Sequence, residues 1–435
     1  MNTKIQDIMR KGMETKARHA KLSCKVFTIK VDKSKLNKQQ RKHIKSLFYE
    51  AKWIYNDIIS FLLNKDNDLN HYDTKLKEVS VKTPEQYETR TLEHISSQMK
   101  QGIREKTFHS MMSLKNMKTN GRKIGKLKFT SQYNSILLKQ YNNTYQIKKN
   151  RIKLQGLRKS IYVRGLKQIP KNCEIANAHI INKSGDYYFQ ITTYSKKSKK
   201  KIPNKVIGID FGCETQLTLS DGTKIKYQIP ISKRVKKLDR KIMKRNRPRS
   251  NNKYKDKIKR QKAYNKIVNI KKDIRNKIVS TLTNNYKTVI VQNESIKAWQ
   301  SSNHGKKIQN TSIGGIIRDL KNKSHTSIVV DRFFPSTQLC PKCQKKNKIP
   351  ISQRVYICEC GYEEDRDVKS AICIRDEGLK NCKIPTGRRK LTPGEIGTSV
   401  STVIDVLSNI DYVIVSSGRR ARKPHPLGWG SSRSF

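Results

Sequence analysis

Apolar residues return every three or four positions between 37 and 63, at Ile44, Leu47, Phe48, Ala51, Ile54, Tyr55, Ile58 and Ile59. That period lines one face of a helix. Just upstream, KVFTIKV at 25–31 alternates and is β-branched, which predicts a strand. Residues 1–20 read as a basic, weakly amphipathic arm, and 66–73 as a loop. A second helical region is expected from about 84 to 117, ended by Gly121 and Gly125 among lysines. From 126 to 200 the period becomes two. KLKFTS, SILLKQY, TYQIKKN, RIKLQG, SIYVRG and DYYFQITTYS are short runs between polar turns, the pattern of a small antiparallel barrel or sandwich. KKSKKK at 196–201 is a boundary or a solvated loop.

The text then changes again. VIGIDFG reads as a buried strand ending in a Gly turn, followed by two more strand-like runs. A long basic helical region covers 233–285, broken near 247–250. Next come a strand in TVIVQNE, a helix at about 308–322, a strand in TSIVVDRFF, a cysteine cluster, and a helix starting near Asp365. Beyond 391, TVIDVL and YVIVSS are strand-like, and the Gly-, Ser-, Arg- and Pro-rich end is expected to be disordered. The aromatics Tyr49, Trp53, Tyr55 and Phe61 fall at helical spacing and are expected to pack in the core rather than stack on bases. Trp299 is expected to pack near the TVIVQNE strand.

Charge narrows the class. The 435 residues hold 95 Lys+Arg against 34 Asp+Glu, a net charge of +61. Bases run from Lys4 to Arg433 rather than in one block. A chain so charged repels itself, and a polyanion partner removes that repulsion and releases counterions. In 233–262 only Asp239 and Asp256 oppose the bases. Lys233, Arg234, Lys236, Lys237, Arg240, Lys241, Lys244 and Arg245 are therefore the candidate nucleic-acid surface, reading backbone and not bases; the competing reading is a solvated helix face. No stretch reaches the roughly 20 apolar residues of a membrane span, and the first twenty residues lack a signal-peptide core. The expectation is a cytoplasmic protein, on the nucleoid when bound to DNA, with no membrane partner. In a reducing compartment, clustered cysteines suit metal better than disulfides.

Three carboxylates carry the candidate chemistry. Asp210 closes VIGID, Glu294 closes TVIVQNE, and Asp367 lies just inside the helix of EEDRDVKSAICI. Each is held rigidly at a sheet rim or beside it. If they converge, they form a negative pocket on a very positive protein, suited to two Mg²⁺ ions with positions left for water and phosphate. A lone Asp at a strand end is more often a turn or cap residue, and the alternative for one of Asp365 and Asp367 is that it caps the helix or binds Arg366. IGIDFG also resembles the first phosphate loop of actin-like ATPases, but Gly314-Gly315 is isolated and supplies no second glycine-rich signature.

Cys340-Pro-Lys-Cys343 and Cys358-Glu-Cys360 have the spacing of a zinc ribbon, four thiolates around one Zn²⁺ with no open position, hence a structural site. Cys24, Cys173, Cys213, Cys373 and Cys382 are scattered and expected to be small buried hydrophobes.

The order of these parts resembles one known family. A strand with Asp210, a basic helical insert, a strand with Glu294, FFPSTQLCPKC, a ribbon and CGYEEDRDVKSA look like the split RuvC nuclease of TnpB proteins and compact type V CRISPR effectors. The likeness spans about 205–395, and SLFYEAKWIYN, ISSQMKQGIR and KIGKLKF extend it upstream. It implies a multidomain α+β and α/β chain, with a β-barrel wedge domain carrying a helical recognition insert. An RNase H-like RuvC domain, interrupted by the zinc ribbon, would follow. The implied boundaries are 1–36 (arm and first wedge strand), 37–120 (recognition), 121–204 (wedge), 205–335 (RuvC, first part), 336–362 (ribbon, binding target nucleic acid), 363–395 (RuvC, last part) and 396–435 (tail). It makes Asp210, Glu294 and Asp367 the metal-binding triad, with Asp367 chosen as the second Asp of D-R-D-x-x-x-A. The implied activity is RNA-guided cutting of double-stranded DNA beside a short adjacent motif, with one or two protein copies per guide RNA. The alternatives are an RNA-guided repressor that does not cut, or a guide-independent nuclease or transposition accessory protein. Two positions depart from the family: Lys369 stands where many relatives have Asn, inviting a role in binding phosphate or competing with metal, and Gln344 stands where a Gly often follows the first cysteine pair.

Overall fold

The computed structural model describes residues 3–63, 68–83, 85–197, 202–227, 229, 232–245, 247, 250–302, 305–350, 352–381, 407 and 413–417. They divide into two compact units, Met1–Lys199 and Lys200–Phe435. No helix among them is long and apolar enough to cross a membrane.

The first unit opens with helix α1 (Thr3–Ala20), strand β1 (Ser23–Val31) and helix α2 (Lys38–Phe61). Asn37 starts α2 with a capping box: its side chain accepts from the Gln40 amide at 2.7 Å, and the Gln40 side chain accepts from the Asn37 amide at 3.1 Å. The hairpin β2 (Glu78–Lys82) and β3 (Tyr87–Thr91) precedes helix α3 (Ser97–Thr119). The helix expected from 84 therefore begins only at 97. EVSVK and YETRT alternate with period two about a turn in which the Thr83 hydroxyl donates to the Gln86 carbonyl, so pairing wins over helix. Six more strands follow: β4 (Ser135–Leu138), β5 (Tyr145–Lys148), β6 (Arg151–Leu154), β7 (Ile161–Arg164), β8 (Glu174–Lys183) and β9 (Asp186–Ser195). With β1 they form one antiparallel sheet in the order β4-β8-β9-β1-β7-β6-β5. Its edges are consecutive in sequence, and the Tyr145 hydroxyl on β5 donates to the Ala176 carbonyl on β8 at 2.5 Å. The sheet is thus a nearly closed barrel, and Ile29, Ile136, Ile152, Ile180 and Phe189 share its core with Ile44, Leu47, Ile54 and Ile58 of α2.

KLKFTS is not a strand. It docks as extended chain on α2, where Asn56 donates to the Thr130 carbonyl at 3.0 Å and accepts from its amide at 2.8 Å. Of the α2 aromatics, Trp53, Tyr55 and Phe61 pack partly against the core, whereas Tyr49 is exposed with Lys45 and Lys52 over its ring.

The second unit runs β10 (Val206–Phe211), β11 (Leu217–Leu219), β12 (Thr223–Tyr227), α4 (Lys233–Met243), α5 (Asn251–Asn285) and β13 (Thr288–Gln292). It continues with α6 (Ile296–Ser301), α7 (Gly305–Thr311), α8 (Ile313–Lys323), β14 (Thr326–Val330), β15 (Val355–Ile357), β16 (Glu363–Asp365), α9 (Arg366–Asn381) and β17 (Val413–Ser417). The single helix expected near 308–322 is split at Ser312, whose φ of 61° is left-handed. One sheet has the order β14-β13-β10-β11-β12-β17, with β13 and β14 parallel to β10 and the other neighbours antiparallel. TVIDVL lies outside the described residues except for buried Leu407, as do Cys382 and the terminal Gly-, Ser- and Arg-rich stretch.

Every residue of β13 is buried, because helices cover both faces. Val289 and Val291 face α5 and α8 through Ile274, Ile278, Ile316 and Leu320, while Ile290 meets Ile374 of α9. Two glycines bring α9 down onto the sheet. A Cβ on Gly208 of β10 would overlap the Ala371 carbonyl oxygen and stand 2.7 Å from Arg375 Cβ. A Cβ on Gly378 of α9 would overlap Ile290 Cγ2. Gly208→Ala should therefore cost about 2–3 kcal/mol in urea unfolding, with the m-value unchanged; an unchanged midpoint would mean α9 does not sit this close.

Candidate active site and metal centre

Asp210 lies one residue before the end of β10 and pairs across to Thr218 on β11. The parallel neighbour β13 pairs Val291 with Ile209, so Glu294 leaves β13 at the same end of the sheet. Asp367 is in the first turn of α9, the helix lying across these strands. Asp210 is half-buried. Its carboxyl is pushed up to about 8, first by burial and then by the negative charges of Asp367 and Glu294, against smaller opposing help from the Phe211 amide and Arg366. Asp367 and Glu294 therefore both lie within electrostatic reach of Asp210. Glu294 is also raised by burial, with Arg332 pulling the other way.

Asp365 has a different task. Its Oδ1 accepts from the amides of Asp367 at 3.0 Å and Val368 at 3.2 Å, capping α9, and its Oδ2 pairs with Lys224 Nζ at 2.7 Å. Asp367 makes a looser contact, 3.5 Å from Arg366 Nε.

Sequence reasoning passed over Arg332. The Asn293 amide donates to the Val330 carbonyl at 3.0 Å, which sets the turn after β14 beside Glu294. Gln292 then pins that turn from below, its Nε2 donating to the carbonyls of Asp331, Arg332 and Phe334 at 3.2, 3.2 and 2.8 Å. Arg332 and Phe333 stay exposed at the rim. The signal was present in DRFF, a basic and aromatic pair directly after a buried strand.

Gly314 and Gly315, weighed as a phosphate loop, lie at the start of α8 and pack against Ile296 and Arg275. Trp299 packs partly against the core under the sheet. Seven of the eight nominated bases, Lys233, Arg234, Lys236, Lys237, Arg240, Lys241 and Lys244, are exposed on or just after α4, while Val235, Leu238 and Ile242 face inward. Arg245 differs: its Nε donates to buried Asp256 at 3.1 Å and so ties α4 to α5.

The four ribbon cysteines converge. Sγ of Cys340 and Cys360 are 3.6 Å apart, as are those of Cys343 and Cys358, and all four lie within 4.8 Å. A tetrahedron with Zn–S near 2.3 Å has S···S edges of about 3.8 Å, so the set fits one such ion. The Cys358 thiol is lowered to about 7, chiefly by the Cys360 backbone amide, which favours the thiolate. Among the described residues these cysteines form the cluster with metal-ligand spacing; the three carboxylates do not gather as tightly. Of the remaining described cysteines, Cys373 meets the expectation of burial and the other three depart from it. Cys373 is buried, Cys173 and Cys213 are half-buried, and Cys24 is exposed because its strand turns that face to solvent.

Two family models match in chain order. One, OrfB_IS605, described as "Probable transposase", covers residues 189–299 and so Asp210 and Glu294. The other, the Cas12f1-like TNB domain, covers 316–374 and so the four cysteines and Asp367. Both matches support the resemblance to TnpB proteins and compact type V effectors. A "Putative RNA-guided DNA endonuclease" of Streptomyces pristinaespiralis is 24% identical over 227 residues, 50% of this chain and 56% of that one. The "Putative RNA-guided DNA endonuclease InsQ" of Escherichia coli (strain K12) is 28% identical over 134 residues, 30% of this chain and 33% of that one. The alignments thus span about half and a third of these curated relatives. A cryo-EM structure of a Cas12f1–sgRNA–target DNA complex aligns with 82% of this chain and 99% of that chain, at a TM-score of 0.47 and 14% identity.

The raised Asp210 gives a signed prediction. Without divalent ions the folded protein keeps that proton up to about pH 8, whereas an unfolded Asp loses it near 4. Between those values the fold binds more protons, so this group's contribution to stability falls as pH rises. Asp210→Asn should stabilise the metal-free protein by about 1–2 kcal/mol at pH 8 and leave it unchanged near pH 4. Denaturant titrations at both pH values check this; equal effects at the two would refute it.

Proposed function

We propose that the chain is an RNA-guided DNA endonuclease that cuts with a two-metal RuvC site. The observation that carries this reading is the placement of Asp210 and Glu294 at the same end of adjacent parallel strands, with Asp367 opening the helix across them. The strand order has β13 and β14 parallel to β10 on one side, and β11, β12 and β17 on the other, each antiparallel to its neighbour. It supports an RNase H-like domain formed by 205–335 and 363–395, to which β17 adds an edge strand. The four-cysteine ribbon at 336–362 interrupts it. In the first unit, the barrel over 121–204 with β1 is read as the wedge domain and 37–120 as the recognition insert. The names of the two curated relatives point the same way.

Asp210, Glu294 and Asp367 would hold two Mg²⁺ ions, which when bound supply charge stabilisation for the attacking water and the leaving 3′ oxygen. Asp210 must lose its proton to join them. Arg332 presents a cation at the rim, where it can steer a phosphate toward Glu294. The exposed bases of α4 would grip the backbone of a guide–target heteroduplex, leaving sequence choice to base pairing. Cleavage next to a short adjacent motif would leave 5′-phosphate and 3′-hydroxyl ends.

The test is co-expression with flanking genomic DNA, extraction of bound RNA, and a Mg²⁺ cleavage assay on a matched double-stranded target. A discrete RNA should co-purify, and Asp210→Ala should bind the target but cut at least about a thousandfold more slowly. Binding without any cutting by wild type would make the protein a repressor; cutting without RNA would remove the guide from the reading. Elemental analysis should also find one Zn²⁺ per chain, lost in Cys340→Ser together with several degrees of thermal stability. Full zinc in that variant would move the site elsewhere.

A further inference from the structure

Lys369 follows Asp367 by two residues on α9 and is fully buried. A buried ammonium needs partners, and two groups close on it. Its Nζ donates to the Ser336 carbonyl at 3.0 Å and stands 4.1 Å from the centroid of the Tyr356 ring. Both contacts turn its Nζ toward the ribbon side, while Asp210 also lies within reach of its charge.

Both partners lead onward. Tyr356 is fully buried on β15, two residues before Cys358, and its hydroxyl donates to the Gln338 carbonyl at 3.3 Å. Ser336 is buried, and its Oγ donates to Gln292 Oε1 at 3.1 Å. Gln292 is the last residue of β13, two before Glu294, and holds the 331–334 turn by the three hydrogen bonds described above. One turn along α9, the Cys373 thiol donates to the Leu339 carbonyl at 3.3 Å, beside Cys340. A continuous buried path thus runs from the ribbon to the starts of both the Asp367 helix and the Glu294 segment.

We propose that Lys369 is a positioning residue that couples the four-cysteine centre to the acidic site, its ammonium clamped between the Tyr356 ring and the Ser336 carbonyl. A ribbon closed around its ion seats Tyr356. The seated ring fixes Lys369, and Lys369 fixes the first turn of α9 against Ser336 and Gln292. This rests on the proposed function only in taking the three carboxylates as a divalent-ion site.

Each centre can be read separately in the full chain. Cobalt loaded at one equivalent reports the ribbon through its thiolate absorption bands, and Mn²⁺ binding followed by electron paramagnetic resonance reports the acidic site. Lys369→Met keeps the side-chain volume but loses the cation, and Tyr356→Leu loses the ring face. Each should weaken Mn²⁺ binding about tenfold, as outer-shell changes do, with the cobalt bands retained. Tyr356→Phe keeps the face and should bind Mn²⁺ within about twofold of wild type. The double variant Lys369→Met with Tyr356→Leu should be no weaker than either single one, because both break one contact. Wild-type Mn²⁺ affinity in Lys369→Met, additive effects in the double variant, or Tyr356→Phe as damaging as Tyr356→Leu would each overturn the coupling. If Lys369→Met fails to fold, the contrast between Tyr356→Phe and Tyr356→Leu decides alone. Mn²⁺ binding that is identical in wild type and Asp210→Ala would sink the acidic-site reading and the coupling together; the other outcomes leave that reading intact.

Discussion

The second unit depends on the contact between one helix and one sheet. Gly208 lets the backbone of α9 come down onto β10, and Gly378 on the helix makes room for the Ile290 side chain of β13 at the same interface. That closeness lets a carboxylate on a helix stand beside two on strand ends. It also crowds Asp210 with protein atoms and with like charge, so its proton is held far above the usual carboxylate range. The same packing that brings the acids together thus charges the site against itself, a repulsion that a bound divalent ion would offset.

Much of this was legible from pattern. The α2 stripe, the β13 run, the break between α4 and α5 and the four-cysteine spacing each follow from one dominant local rule. The misses lie where two rules compete. YETRT is short enough to be absorbed into a helical window, yet a tight turn lets it pair with EVSVK just upstream. KLKFTS alternates but gives its hydrogen bonds to Asn56 instead of a strand. β8 was passed over because small and polar residues, Ala176, Asn177 and Ala178, interrupt its alternation at a bulge.

At the site, the residues alone left Asp365 and Asp367 open, and only the resemblance chose between them. Asp365 and Asp367 differ only in backbone position, and the hydrogen bonds to the α9 amides separate cap from pocket. Lys369 invited a role in the pocket because its charge is all the sequence displays. Its direction is set by Tyr356 and Ser336, which are distant in the chain or uninformative by type. Arg245 is a similar case, a base in a basic run that proves to be an internal strut.

The long helix α5 has a mechanical consequence. Between Asn251 and Asp273 its buried residue is Asp256, and apolar burial begins only at Ile274. With α4 strapped to it by Arg245–Asp256 and Arg260–Asp239, the first half is a two-rod cantilever rooted in the sheet. At 1.5 Å per residue its free length is about 30 Å. A tilt of five or six degrees at the root moves the tip by about 3 Å, close to the 3.4 Å step along one strand of a duplex. A small tilt at the root near β13 would thus be magnified several-fold at the basic end.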